Sequence, residues 1–552
     1  MPPLHGFRDR GRPLRQFSDM RGEKFDFIVV GAGSAGCALA ARIADRAKFH
    51  VLLLEAGPRD TSPWIHIPIG YGKTMFSPKV NWCSTSAPIA SLNNRSIYCP
   101  RGKVLGGGSS INGLLYVRGQ KEDFDHWAAL GNPSWGWEDV LPYFLRLEDH
   151  YDGRTLYHDV GGPMRVSPIE SPSILARAFV QSAIQAGLPR NVDFNGETQE
   201  GAGYFDLTTK RGRRVSTATA YLGWHRRRGK LSVKTAAVAK RILVRDGVAA
   251  AVVYDQGGRE HVAYAAKEVF VSAGAIGSPA LLQLSGIGDP ELLAARGIAT
   301  VLPLPGVGRN LQDHLRVRLT YRCSEAVTTN DDLSAWYRKA KVGLRYAFFR
   351  DGPMAVGINQ AGAFARTDPG LDRPDVQFMF GTFSADLQGG KIHPFSGFTL
   401  ALGVLRPESR GYVRIKSDDP YEDPEIQPNY LATEYDRVTL LKAIRLGQSI
   451  VSTPPLSSFI EAPHAPDSEC RTDDQLLKFV RAYANGLMHP CGTCRMGADP
   501  MSVVDGSLRV HGVPNLRVVD ASVMPAITSG NINVPTIMIA EKISDQVVAR
   551  HV

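Results

Sequence analysis

The 552-residue chain has no stretch of about eighteen uncharged apolar residues, so the sequence offers nothing to span a membrane. It has no Gly/Ser or Pro run long enough to act as a linker, although it holds 55 Gly and 36 Pro. It is poor in cysteine. Seven in a chain this long do not make a disulfide framework, and an odd number leaves at least one thiol free, which fits a reducing, cytoplasmic setting. Residues 1–24 are Arg-rich but carry Asp9, Asp19 and Glu23 and lack an apolar core, so they do not read as a secretory signal. They read as a loosely held extension. No helix-turn-helix, finger or RNA-binding motif accompanies the basic clusters at Arg211–Arg214 and Arg226–Lys230, so the net charge of +10 reads as a solvated basic surface without nucleic-acid binding. It leaves room for a weak contact with a membrane surface, peripheral to the inner membrane. Nothing in the sequence speaks to oligomeric state.

What is present is a chain too long for one core, with 43% hydrophobic and 21% charged residues, which predicts two closely joined domains. Phe25–Val30 (FDFIVV) is the apolar, β-branched run of a buried parallel strand. It leads into Gly31-Ala-Gly33-Ser34-Ala-Gly36 and a helical run, Cys37–Arg46. Gly31 permits a tight turn, Gly33 lets backbone approach a pyrophosphate, and Gly36 lets helix pack on strand. The free N–H groups at the helix start then face the phosphates. The next strand, Val51–Leu54, ends in Glu55, at the distance where an acid reaches a ribose hydroxyl. This unit predicts dinucleotide binding and leaves NAD and FAD both open.

Residues 101–119, RGKVLGGGSSINGLLYVRG, place three glycines in a row, which suits neither a helix nor a strand interior. The segment resembles the first signature of the glucose–methanol–choline (GMC) oxidoreductases. Residues 274–288, GAIGSPALLQLSGIG, are similar to the second signature. Pro305–His314 (PGVGRNLQDH), Ser409–Ser417 (SRGYVRIKS), Pro428–Leu431 (PNYL) and the stretch from His489 to about Lys542 are also similar to family segments. The resemblance runs from about residue 24 to the end of the chain.

It implies FAD, and an α/β fold. A doubly wound FAD-binding domain is expected from residues 25–165, 210–320 and 488–552, and a second α+β substrate domain, built on an antiparallel sheet, from 166–209 and 321–487. By position, the resemblance gives Gly31, Gly33, Ser34, Gly36, Glu55 and Ala56 to the ADP half of the cofactor. Arg101, Val104, Gly107, Asn112, Gly113, Leu114 and Leu115 go to the pyrophosphate and flavin, and Val238 to the adenine. Asp520 and Ala521 fall near the ribityl chain and pyrophosphate. Trp82 reads either as packed near the cofactor or as ordinary core. Some family members tether FAD through a histidine in the first signature. Ile111 stands at that position here, so non-covalent FAD is expected.

Oxidation of an alcohol by a flavin needs a base for the hydroxyl proton while hydride passes to flavin N5; an imidazole suits the first event. His489, in HPCGTCRMG, matches the family's active-site histidine. Asn533, in SGNINVPTIM, is taken as the second member of the pair, with Asn531 the near alternative in a supporting role. Pro535 and Thr536 are expected to open the last helix, Ile537–Arg550, with its positive end toward the flavin. Cys491 and Cys494 form a CxxC, but no second ligand pair or βαβ start accompanies them, so no metal is expected. His314 reads as structural.

Val376–Phe383 and Phe398–Leu405 read as strands of the substrate domain. Residues 326–365 read as helix and loop, their aromatics Trp336, Tyr337, Tyr346, Phe348 and Phe349 being either core or the lining of an access channel. No aromatic or carboxylate cage for a quaternary ammonium is legible, so choline is not favoured. The expected function is FAD-dependent oxidation of a primary alcohol to an aldehyde with His489 as base and oxygen or a quinone as electron acceptor. The alternative is a flavin-dependent lyase or decarboxylase on the same scaffold.

Overall fold

The computed structural model describes residues 22–46, 49–223, 230–386 and 391–552. Most of the N-terminal extension and of the Arg226–Lys230 cluster lie outside them. The first strand begins earlier than expected, at Glu23, so Glu23 and Lys24 belong to the sheet rather than to the extension.

One sheet is built around that strand. Leu231–Lys234, Val51–Leu54, Glu23–Val30 and Arg259–Val271 run parallel in that order. The far edge of Arg259–Val271 is shared by Val248–Gln256, antiparallel, and further along by Leu516–Val518, parallel. Ala237–Arg245 completes the sheet. Its central strands are buried on both faces, as the apolar runs demanded. The helix Ser34–Arg46 packs against the last helix, which runs Asn533–His551 and so begins four residues before its expected start. The two are fastened by Glu541, a fully enclosed carboxylate that pairs with Arg42 and Arg146 and accepts from the Tyr221 hydroxyl at 2.7 Å. Removing either arginine would leave a buried charge short of partners, which is strongly destabilising. This clamp sets residues 531–536 beside the first glycine turn.

The second sheet is antiparallel, in the order Ile460–Ala465, Leu315–Cys323, Gly397–Val404, Val376–Gly381, Asn359–Ala365, Gly201–Tyr204. Asn485–Gly486 pairs with the start of Leu315–Cys323. That strand crosses the boundary expected at residue 320: its alternation puts Leu315, Val317 and Leu319 into the core of the second sheet, so the chain changes sheets at about 315. The back face, with Phe378, Leu400 and Leu402, is covered by helices Ile174–Gln185 and Glu434–Ser452. A Cβ on Gly447 would sit 3.2–3.3 Å from those three side chains, so this helix lies close because residue 447 has none. The front face looks across a cavity at the first glycine turn.

Four of the five aromatics of the helix Trp336–Phe349 are neither core nor cavity lining. Tyr346 alone is buried; Trp336, Phe348 and Phe349 are 80%, 77% and 76% exposed, and Tyr337 is exposed as well. Lys339, Val342 and Gly343 of the same helix line the cavity.

Candidate active site

A single cavity of about 1450 Å³ runs between the two sheets. One end is the dinucleotide turn. Gly31 holds φ +100, which a side chain would strain. A Cβ on Gly36 would sit 1.9 Å from the Gly31 carbonyl oxygen, so Gly36 serves helix–strand packing and does not reach the cavity. A Cβ on Gly33, Gly108 or Gly113 would meet no protein atom within 4 Å: these glycines face the cavity, and bareness there makes sense only if something else fills the space. Gly107 brings the second glycine segment to within 2.7 Å of Gly33 Cα, measured from its would-be Cβ. The two turns thus form one backbone-lined cradle. Glu55 closes it, its carboxylate accepting from the N–H groups of Ala32 (3.0 Å) and Gly57 (2.8 Å), while burial pushes its pKa up to about 7.

Along the cavity walls stand Ala56, Asn112, Leu114, Leu115, Val238, Asp520, Ala521, Asn533 and Thr536. Asp520 is fixed by the Gly274 N–H and the Ser278 hydroxyl, which ties the second signature to this wall. Val104 and Pro535 lie off the cavity, and Trp82 takes the first of its two expected places, on the cavity wall. Val104 packs with Ile65, Val80 and Ile111 below the turn and does not face the cavity; its carbonyl shapes the turn by accepting from Gly107 N–H at 2.7 Å. Pro535 is buried within the helix start, away from the cavity. Trp82 is not core: it stands at the rim, 38% exposed, with Lys103 Nζ 4.2 Å over its ring. Arg101 lines the cavity and spends its guanidinium on the carbonyls of Pro100 and Met488, bracing the residue before His489.

The other end of the cavity holds His489. Its backbone N–H donates to Asp313 at 2.7 Å, and Asp313 also accepts from the Tyr430 hydroxyl. Its ring lies between two partners. Nδ1 is 3.0 Å from Nδ1 of His314, and Nε2 is 3.1 Å from Nδ2 of Asn531. The proton positions follow from the partners. The Leu405 carbonyl, 2.8 Å from His314 Nε2, can only accept, so His314 carries its proton on Nε2. Burial pushes His314 down to about 4, so it is neutral near pH 7 and its Nδ1 is a bare acceptor. His489 must then donate from Nδ1, which leaves Nε2 unprotonated at the cavity wall, its lone pair accepting from Asn531 Nδ2. Burial, then repulsion from His314 once it is protonated and from Arg101 and Arg316, hold His489 well below the usual imidazole range.

Asn533 does not join this pair. Its side-chain oxygen accepts from the Ser34 hydroxyl at 2.7 Å, facing the first glycine turn. Asn531, the near alternative, is the residue that meets His489, and its own oxygen faces Gln377 Nε2 at 3.5 Å. Cys491 and Cys494 are free, fully buried thiols that burial pushes far above their ordinary value, so neither is a thiolate near neutrality. Sequence reasoning missed Arg316 and Arg318, which line the cavity from the second sheet. The alternation Leu315-Arg-Val-Arg-Leu319 was the available signal, but it equally describes a strand with a solvated face.

A dinucleotide turn, a glycine cradle and an unprotonated histidine nitrogen across one cavity define a flavin- or nicotinamide-type oxidoreductase. Comparison with known proteins makes the choice: the chain belongs to the GMC oxidoreductase family, whose N-terminal model matches residues 25–316 and whose C-terminal model matches residues 407–540. It is therefore an FAD-dependent oxidoreductase acting on CH–OH donors. It is 41% identical to an alcohol dehydrogenase [acceptor] of Pseudomonas putida over 532 residues, covering 95% of this chain and 96% of that protein. It is likewise 41% identical to an oxygen-dependent choline dehydrogenase of Vibrio vulnificus, over 95% and 94% of the two chains. The structure superimposes on pyridoxine 4-oxidase of Mesorbium loti with a TM-score of 0.88 at 31% identity, over 96% of this chain and 100% of that one. On formate oxidase the TM-score is 0.90 at 26% identity, over 96% and 99%.

Proposed function

We propose that this enzyme oxidises a primary alcohol to an aldehyde with His489 as general base and Asn531 as its partner at the substrate oxygen. The observation that carries the reading is the hydrogen-bond chain Leu405 carbonyl, His314, His489, which leaves His489 Nε2 unprotonated beside Asn531. A base already in its accepting tautomer takes the hydroxyl proton without reorganising. Asn531 Nδ2, beside Nε2, donates to the same oxygen and orients it. Bound FAD supplies the hydride acceptor. Asn533 and Ser34 join the last helix to the glycine turn, and the helix N-terminus presents its positive end to the cofactor side of the cavity. Ile111, at the cavity wall, offers no nucleophile, which supports non-covalent FAD.

The test is an anaerobic panel of alcohols watched by bleaching of the bound flavin, followed by admission of air or a quinone. Bleaching by a primary alcohol with release of aldehyde is expected. Failure of every alcohol would favour the lyase reading.

The helix Trp336–Phe349 supports a peripheral membrane contact. Among the described residues no helix is long and apolar enough to cross a membrane. This one instead exposes Trp336, Tyr337, Leu344, Phe348 and Phe349 beside Arg338, Lys339, Lys341 and Arg345, the composition of a helix lying in an anionic lipid interface. Its cavity-lining residues would set the mouth at the bilayer, within reach of a membrane quinone.

A further inference from the structure

The front face of the second sheet is apolar or neutral over most of the cavity: Thr399, Ala401, Met379 and Gly381 line it. Arg316 and Arg318 break the pattern. They stand two residues apart on the strand Leu315–Cys323, on the face opposite Leu315, Val317 and Leu319. Their Cα atoms are therefore separated by about 6.6 Å and their side chains project the same way. Across the ladder Arg316 faces Asn485, on the short strand that leads to His489, so Arg316 flanks the catalytic end of the cavity and Arg318 stands one step further along the same face.

Among the described residues neither guanidinium has a counter-ion. Arg316 Nε is fully enclosed and meets no acceptor among the described residues, and neither side chain forms an ion pair or hydrogen bond there. The carboxylate whose charge reaches Arg316, Asp313, is already engaged by the Tyr430 hydroxyl and the His489 N–H. Burial lowers Arg316 to about 9 and lowers Arg318 as well. Both remain charged near pH 7. A neighbouring buried arginine, Arg214, is fully used: its guanidinium donates to the carbonyls of Ile65, Ser109 and Asn112 and to the Asn112 side chain. Two half-buried cations at the cavity wall without partners among the described residues are costly to keep, and an anion entering between them recovers that cost. Guanidinium forks match the two oxygens of a carboxylate, and the same charges repel a cation such as a quaternary ammonium.

We propose that the substrate alcohol carries a carboxylate, bound by Arg316 and Arg318 while its hydroxyl faces His489 and Asn531. The assignment rests on the alcohol-oxidation reading above for its hydroxyl end, and on the unpartnered arginines alone for its acid end.

The two ends are tested separately on the FAD-loaded enzyme. Hexanoate and hexanamide share a chain and differ in charge, and neither has an alcohol to oxidise. Titrated against the flavin absorbance, hexanoate should bind at least about tenfold tighter, the scale of one charge-assisted pair. In the variant R316Q/R318Q, checked for retained FAD, the two should bind within about twofold of each other. In anaerobic reduction, 6-hydroxyhexanoate should exceed 1-hexanol in kcat/KM by at least about tenfold, and choline should be the poorest of the three. Hexanoate binding no tighter than hexanamide to the unaltered enzyme overturns the proposal without recourse to any variant. So does a preference that survives in R316Q/R318Q. If 1-hexanol bleaches the flavin but no acid is preferred, the carboxylate site is wrong and alcohol oxidation stands. If acids bind preferentially but no alcohol bleaches the flavin, the alcohol-oxidation reading fails and the anion site stands.

Discussion

Nε2 of His489 and Nδ2 of Asn531 stand 3.1 Å apart, and Asn533, two residues further on, faces Ser34 instead. The two asparagines therefore do different work. Asn531→Ala should slow flavin reduction by alcohol at least about tenfold while FAD stays bound, since a substrate hydrogen bond is lost at the reacting oxygen. Asn533→Ala should weaken FAD retention and leave the His489–Asn531 contact in place. Stopped-flow reduction alongside the flavin-to-protein absorbance ratio separates them. An Asn533→Ala enzyme with full FAD and reduction as slow as Asn531→Ala would reverse the assignment.

His314 acts through His489. His314→Phe keeps the bulk but removes the acceptor that fixes the tautomer, so kcat/KM should fall about ten- to a hundredfold with FAD retained. In the unaltered enzyme kcat/KM should hold level from pH 8 down through 6.5, because the folded value of His489 lies below the free imidazole's and its Nε2 stays bare until the pH falls further.

The same pair of histidines links stability to pH. His314 titrates near 6.5 in the unfolded chain and at about 4 in the fold. Its contribution is whole above pH 6.5 and is lost as pH falls toward 4, to the extent of roughly 3 kcal/mol for one proton. Urea unfolding of the FAD-loaded proteins should show the unaltered enzyme losing ground to His314→Phe over that window. A constant difference between the two would contradict the burial of a neutral His314.

Gly33 faces the cavity, where its Cβ would meet no protein atom. Gly33→Val should therefore fold, by far-ultraviolet circular dichroism, yet be isolated largely without FAD. Normal FAD content would show that the cradle lies elsewhere.

The exposed aromatics of Trp336–Phe349 should drive sedimentation with phosphatidylglycerol vesicles. The triple variant Trp336→Ser, Phe348→Ser, Phe349→Ser should lose most of it without change in FAD content. Equal binding by both proteins would remove this helix from the contact.

Much of this was legible before any coordinates. The strand, glycine turn and Glu55 carry their own geometry, because backbone approach and φ > 0 restrict those positions to few residue types. The apolar runs at 376–383 and 398–405 also matched strands, Val376–Gly381 and Gly397–Val404. The failures share a cause: side-chain direction set by tertiary context. Near a helix start each residue turns by about 100°, so choosing Asn533 over Asn531 swings the amide to the far side, and the helix start itself was placed four residues late. The alternation around Arg316 and Arg318 fixes that they share a face but not that the first sheet covers it. The aromatics of Trp336–Phe349 suit a core by composition, yet only Tyr346 meets enough of the described residues to be buried.

The base assignment is tested most directly by His489→Ala, loaded with FAD and mixed anaerobically with an alcohol that bleaches the unaltered enzyme. The account predicts an unchanged oxidised FAD spectrum and flavin reduction at least about a hundredfold slower, the scale of a lost general base. Reduction at a near-normal rate would contradict it.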